Sequence, residues 1–235
     1  MKVEIWSDIA CPFCYIGKRK FEQALESYPH KDSVQVEWRS FQLDPEMEPV
    51  PGQTIYESLA QKKGWTPEHA KALSGQVSNM AAEVGLHYNM DNTVPANTFN
   101  AHRLTHLAAK FGLQDEAEER LFKAYFMEGL NIQDENVLVQ LGTDIGLEEK
   151  AVRYMLASDE YSYDVRMDAH EAQQIGVRGV PFFVIDRKYA VSGAQPSEVF
   201  LGALQTARKE WEAANQPVPV LEGSGPTCDT NGNCN

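Results

Sequence analysis

Trp6-Ser7-Asp8-Ile9-Ala10-Cys11-Pro12-Phe13-Cys14 decides the reading of this chain. Before it, Val3 and Ile5 alternate with Lys2 and Glu4, the two-residue period of a short strand. Asp8, Ile9 and Ala10 form a turn, and Pro12 suits the first turn of a helix, where its missing N–H is not needed. The spacing predicts that helix from Pro12 to about Tyr28. Two cysteines three apart at a helix start put both sulfurs within bonding reach, the first facing out and the second deeper in the helix. The unpaired N–H groups and positive end of the helix favour negative charge on the first sulfur. Disulfide exchange needs one thiolate that attacks and a second thiol that resolves the mixed disulfide. Cys11 is therefore read as the nucleophile and Cys14 as the resolving thiol.

Working outward, Val34, Val36 and Trp38 alternate with Gln35, Glu37 and Arg39, a second strand, and Pro45, Pro49, Pro51 and Gly52 end this unit. From about Thr54 to Ile175 the pattern is helical. Thr66-Pro67-Glu68 is a helix start, and Ala70, Leu73, Val77, Met80 and Val84 recur at helical spacing as a core stripe. Leu104, Leu107, Ala108 and Phe111 make another. The acidic run from Asp115 to Glu119 reads as a solvated helix start. After Gly179, Phe182-Phe183-Val184-Ile185 is a continuous apolar run, a strand buried on both faces. Asp186-Arg187-Lys188 turns into a partner strand, Tyr189-Ala190-Val191. Pro196 opens a last helix with Phe200, Leu204, Ala207 and Trp211 on its buried face.

Strand–helix–strand, a helical block, then helix–strand–strand–helix is an α/β thioredoxin-like fold interrupted by a large all-helical insertion. The expected division is residues 1–52 and 166–215 for the thioredoxin-like part, 53–165 for the insert and 216–235 for a flexible tail. Gly179-Val180-Pro181 sits in the loop that faces the cysteine pair in such a fold. A proline there, just before a buried strand, suggests a cis peptide bond. The backbone of Val180 is then placed to pair with an extended substrate segment, so Val180 and Pro181 are the expected substrate-binding residues.

Four stretches together resemble the DsbA family of oxidoreductases, in its cytoplasmic FrnE-like branch. They are the one quoted first, Asn97-Thr98-Phe99-Asn100-Ala101-His102-Arg103, Gly179 to Val184, and Val191-Ser192-Gly193-Ala194-Gln195-Pro196. The resemblance implies oxidoreductase or isomerase activity on protein disulfides and a cis bond before Pro181. A related branch holds the kappa-class glutathione transferases and the 2-hydroxychromene-2-carboxylate isomerases, which typically carry a serine where Cys11 stands. Glutathione-dependent transfer or isomerisation of small molecules is therefore the alternative reading, and the cysteine favours redox chemistry. No tightly bound cofactor is expected, with glutathione or another thiol as a candidate co-substrate.

The 235 residues carry 34 acidic against 21 basic side chains, a net charge of -13, which disfavours nucleic acid and anionic lipid as partners. Protein thiols and disulfides are the expected partners, for a monomer or homodimer. There is no secretory signal and no apolar run of the roughly 18 residues that span a bilayer, so the expected compartment is the cytoplasm. His102 and His106 lie four apart, but Arg103 stands where the zinc-protease pattern needs glutamate. His102 is read either as a cleft residue or as a structural histidine on a helix face, outside the catalytic set. Cys228 and Cys234 enclose a turn-rich loop on the tail. They are read as a second redox pair that exchanges with Cys11/Cys14. The linker from residue 216 to 227 has a root-mean-square reach of roughly 20 Å. A four-thiolate zinc site is the competing use of the two pairs. The wide separation of the pairs and the strand-to-helix setting of the first argue against it, so no metal is expected.

Overall fold

Strand β1 (Lys2–Ser7) shows why the sheet forms where it does. Val3 and Ile5 point to one face and join the main apolar core, whereas Trp6 points to the other and packs with Ala172, Val177 and Val184. A strand buried on both faces belongs in the middle of a sheet. The computed structural model describes residues 1–215 and has a four-stranded sheet in the order β2-β1-β3-β4. Strand β2 (Gln35–Ser40) runs parallel to β1, with Val3 opposite Val36 and Ser7 opposite Ser40. Strand β3 (Phe182–Ile185) is antiparallel to β1, and β4 (Tyr189–Ser192) is antiparallel to β3.

Helices α1 (Pro12–Glu26) and α9 (Ser197–Ala214) cover the first face. Phe21, Phe183 and Phe200 meet there, with ring centroids 4.6 to 5.7 Å apart. Helix α8 (Ser162–Gln174) covers the second face. Trp6 Nε1 donates to the Asp168 carbonyl at 3.0 Å. Between β2 and α8 run α2 (Ile55–Lys63), α3 (Pro67–Ala82), α4 (Phe99–Ala109), α5 (Gln114–Lys123), α6 (Glu135–Asp144) and α7 (Glu149–Leu156). A π-helical turn, Ala124–Glu128, continues α5. This is the thioredoxin-like arrangement with a helical block between its halves. The division at residue 165 falls inside α8, and the tail with Cys228 and Cys234 lies outside the described residues. No helix among the described residues is long and apolar enough to cross a membrane.

Glu4 is a charge in the middle of β1 with 1% exposure. Arg39 Nη2 donates to it at 2.7 Å, and Arg187 also pairs with it. Burial opposes ionisation, but the bonds from Arg187 and Arg39 outweigh it and hold the carboxyl below its usual range.

Several details of the sequence reading need correction. Trp211 does not face the core: it is 48% exposed, and the Arg208 guanidinium lies 4.7 Å over its ring. In α3 the buried row is Ala70, Ser74 and Ala81, and Met80 is exposed, because small residues let this helix lie close to its neighbours. Phe111 lies beyond the end of α4 and is exposed. Helix α1 stops at Glu26 rather than Tyr28.

Arg103 explains part of the Asn97–Arg103 stretch. Its guanidinium is buried and donates to the Glu160 carbonyl at 2.8 Å, to the Ser158 and Met155 carbonyls, and to Asn100 Oδ1 at 2.9 Å. It satisfies backbone acceptors in the last turn of α7 and just after it. Arg103→Met should lower the unfolding free energy by about 3 kcal/mol or more, since several carbonyls lose their donor at once. Urea unfolding followed by circular dichroism measures this.

Candidate active site

Cys11 caps the N-terminus of α1 in an extended conformation, with φ of -94° and ψ of 110°, and Pro12 follows at the first helical position. The Cys11 N–H donates to the Asp8 carbonyl at 2.9 Å, closing the turn. The Cys14 N–H donates to the Cys11 carbonyl at 3.0 Å, which sets Cys14 one tight turn below. Neither cysteine forms a disulfide among the described residues; Cys11 is 4% exposed and Cys14 is fully buried. Burial pushes the Cys14 thiol well above its ordinary range, and the neighbouring Cys11 sulfur adds to this. The Ser7 hydroxyl and the Asp8 backbone amide pull the other way.

The loop before β3 meets this pair. The Cys11 thiol donates to the Val180 carbonyl with Sγ 3.5 Å from the oxygen, and the Val180–Pro181 peptide bond is cis. Gly17 makes the approach possible. A Cβ at that position would stand 2.9 Å from Pro181 Cγ, closer than side-chain carbons pack. Gly17→Val should therefore push the loop off the cysteine pair and destabilise the fold by about 1–3 kcal/mol. Thermal unfolding of the variant checks this.

The helical block supplies the other wall. Tyr88 donates to the Pro12 carbonyl at 2.7 Å and stacks on Phe126 at 4.7 Å and on Tyr15 at 6.1 Å. Burial, then the nearby Cys11, pushes its phenol up. Tyr15 stacks on Phe122 at 5.0 Å and donates to Glu119 Oε1 at 2.6 Å. Nothing in the periodicity around Tyr88 marks it. Only its chemistry, an aromatic ring with a polar end, sets it apart.

The acidic run is a solvated helix start only in part: Asp115 and Glu116 stand exposed in the first turn of α5, whereas Glu118 is buried and Glu119 half-buried. Asp115 accepts from Trp38 Nε1 and from the buried Lys18, and Glu119 pairs with Arg19. Glu118 is 2% exposed, and its Oε2 has no hydrogen-bond partner among the described residues. Burial first, then Asp115, pushes its carboxyl up to about 8. Its later residues are drawn in because α5 packs against α1 and β2.

His102 does not line an open cleft. It is 1% exposed, its Nε2 lies 3.5 Å from Asp8 Oδ1, and neither ring nitrogen makes a hydrogen bond among the described residues. Asp8 is itself held by the Leu43 N–H at 2.7 Å and the Ala10 N–H at 3.3 Å. The four residues proposed from the sequence for the first site thus fall together: Cys11, Cys14, Val180 and Pro181. Cys228 and Cys234 lie outside the described residues.

A mixed four-stranded sheet flanked by helices, with a helical block after its second strand, defines the chain as a thioredoxin-like protein. It belongs to the DSBA-like thioredoxin domain family, whose sequence model matches residues 2–205. Its structure is similar to that of a probable DsbA oxidoreductase from Streptomyces coelicolor, with 40% identity and a TM-score of 0.85 over 100% of this chain and 98% of that one. The uncharacterized protein YwbO of Bacillus subtilis is 29% identical over 211 residues, 88% of this chain and 98% of that protein. A 2-hydroxychromene-2-carboxylate isomerase shares the fold, with 16% identity and a TM-score of 0.66 over 93% of this chain and 100% of that one.

Proposed function

We propose that this protein is a thiol–disulfide oxidoreductase or isomerase of protein disulfides. The observation that carries the reading is the Cys11 sulfur at the start of α1, 3.5 Å from the Val180 carbonyl and directly above the buried Cys14. Cys11 attacks a substrate disulfide as the thiolate. One Cys11–sulfur bond forms, the substrate S–S bond breaks, and the released sulfur takes a proton. Cys14 then loses its proton and attacks Cys11 Sγ. The Cys11–Cys14 bond forms and the second substrate thiol leaves, so the substrate gains two electrons and two protons and the pair is oxidised. The reverse sequence oxidises a substrate dithiol. The high position of the Cys14 thiol keeps it protonated until the mixed disulfide is made.

The loop at Val180–Pro181 holds the partner by backbone pairing. The cysteine at position 11, in place of the serine of the transferase and isomerase branch, supports redox chemistry over conjugation. Cys228 and Cys234 act as a second exchanging pair in this reading. Insulin reduction with dithiothreitol as electron source is the test, run beside glutathione conjugation of a hydrophobic electrophile. Precipitation of the insulin B chain at a rate that depends on Cys11 supports the proposal. Cys11-dependent conjugation without disulfide reduction contradicts it. Replacing Cys228 and Cys234 together by serine should slow turnover, and unchanged turnover removes them from the cycle.

A further inference from the structure

Cys14 must ionise to attack, yet it is fully buried, where an unpaired thiolate is costly. The fold decides which groups meet that charge. Side chains of a strand alternate between its faces, so Ser7 points to the same side of β1 as Val3 and Ile5, the side that α1 covers. The turn that the Cys11 N–H closes on the Asp8 carbonyl sends α1 back along β1. Down the helix, Gly17 lies against Pro181 and Phe183, and Phe21 meets Phe183 with ring centroids 5.4 Å apart. Phe183 is the sheet partner of Ile5. Cys14 stands nearly one helical turn above Gly17, which brings it level with Ser7, the next residue of β1 on that face.

Ser7 is 1% exposed, and its Oγ is buried with no hydrogen-bond partner among the described residues. Buried polar atoms are nearly always paired, and an orphan calls for a reason. The Ser7 carbonyl is occupied, accepting from the Phe41 N–H at 2.9 Å, so the hydroxyl is the group left over. A neutral thiol is a weak acceptor and offers that hydroxyl little. A thiolate in the same place is a charged acceptor, and hydrogen bonds to it are roughly twice as strong. The Ser7 hydroxyl and the Asp8 backbone amide both favour the ionised Cys14, against its burial and the neighbouring Cys11 sulfur. Two donors are thus fixed, by the strand end and by the turn, at the atom where charge develops.

We propose that Ser7 is a catalytic residue of the resolving step, in which its hydroxyl donates to the Cys14 sulfur as that sulfur attacks Cys11 Sγ. The inference rests on the proposed exchange at Cys11 and assigns a residue to its second half. The Cys14–Cys11 bond forms and the bond from Cys11 to the substrate sulfur breaks. The proton that Cys14 gives up is balanced by the one that the departing substrate sulfur takes, and Ser7 keeps its own. In the reverse direction the hydroxyl stabilises Cys14 as the leaving sulfur.

The test compares Ser7→Ala with its parent, both as the full chain with Cys228 and Cys234 replaced by serine so that Cys11 and Cys14 alone react. Each reduced protein is mixed with a symmetrical peptide disulfide, quenched in acid at intervals and weighed intact by mass spectrometry. Addition of one peptide reads the first step, and its loss reads the second. Ser7→Ala should add the peptide at the parent's rate and release it about tenfold to a hundredfold more slowly, so that the adduct accumulates. Ser7→Thr keeps the hydroxyl and should bring release back to within about threefold of the parent. The reduced Ser7→Ala protein should melt no lower than the parent, because the atom removed is an unpaired buried donor in that state. Unchanged release in Ser7→Ala overturns the assignment. So does an equal slowing of addition and release, a lowered melting point, or release in Ser7→Thr as slow as in Ser7→Ala, each of which makes Ser7 a packing residue. No addition to either protein contradicts the exchange reading itself, and the role of Ser7 falls with it.

Discussion

Cys11→Ser should lower thiol–disulfide exchange by at least about a thousandfold, because the attacking group of the whole sequence is gone. A serine hydroxyl is a far weaker nucleophile than a thiolate and has no resolving partner in Cys14. The loss should be chemical rather than structural. Cys11 sits at the helix cap with 4% exposure, and a hydroxyl can donate to the Val180 carbonyl as the thiol does. The variant should therefore unfold within a few degrees of the parent, since about 1 kcal/mol moves the midpoint of a chain this size by roughly 2–4 °C. Insulin turbidity and a thermal melt on the same preparation measure the two quantities. Retained exchange in this variant would move the active thiol elsewhere in the chain.

Glu118→Gln should make the protein progressively more stable than the parent as the pH rises. In the fold the carboxyl ionises at about 8, held there by burial and then by Asp115, whereas the unfolded chain ionises it near 4.3. Below about pH 4 the group is protonated in both states and contributes no difference. Between about pH 4.5 and 8 the unfolded chain binds fewer protons than the fold, so stability falls as pH rises, by up to about 1.4 kcal/mol per pH unit. The accumulated cost is on the order of 4 kcal/mol at pH 8 and is constant above it. Glutamine cannot ionise and escapes that slope. Urea midpoints of the two proteins at pH 4.5, 6 and 8 should diverge steadily, with the variant ahead at the alkaline end. Parallel curves would mean that Glu118 ionises normally.

The fold was legible wherever the signal was local. The alternation of Val3 and Ile5 with Lys2 and Glu4, the proline after Cys11 and the apolar run at Phe182–Ile185 are short-range patterns, and the elements stand at those places. Burial of individual side chains was less legible, because it depends on what packs against an element. Glu4 reads as the polar side of a strand, yet α8 covers that face and two arginines neutralise the charge. Glu118 lies in a run that looks solvated until α5 is seen against α1. Trp211 continues a helical stripe past the point where the core ends.

The candidate site divides in the same way. Cys11 and Cys14 are neighbours in the chain, and their spacing carries their geometry. Val180 stands 169 positions from Cys11, and it could be placed beside it only through the fold. Tyr88 on Pro12 and His102 beside Asp8 come from the helical block, 76 and 94 positions away; His102 lies in the Asn97–Arg103 stretch, but Tyr88 has no motif to link it to the cysteine pair. Gly17 is silent in the sequence, because its meaning is the 2.9 Å that a methyl group would leave to Pro181.

The central claim is that Cys11 attacks and Cys14 resolves, and trapping tests it most directly. Cys14→Ser, made in a chain that also carries Cys228→Ser and Cys234→Ser, leaves Cys11 as the only thiol. Incubated with a disulfide-bonded peptide and digested without reductant, it should yield one mixed disulfide, located by mass spectrometry on the segment that contains Cys11. Restoring Cys14 should release that peptide and leave a Cys11–Cys14 disulfide in its place. Absence of the adduct, or an adduct that persists when Cys14 is restored, would contradict the account.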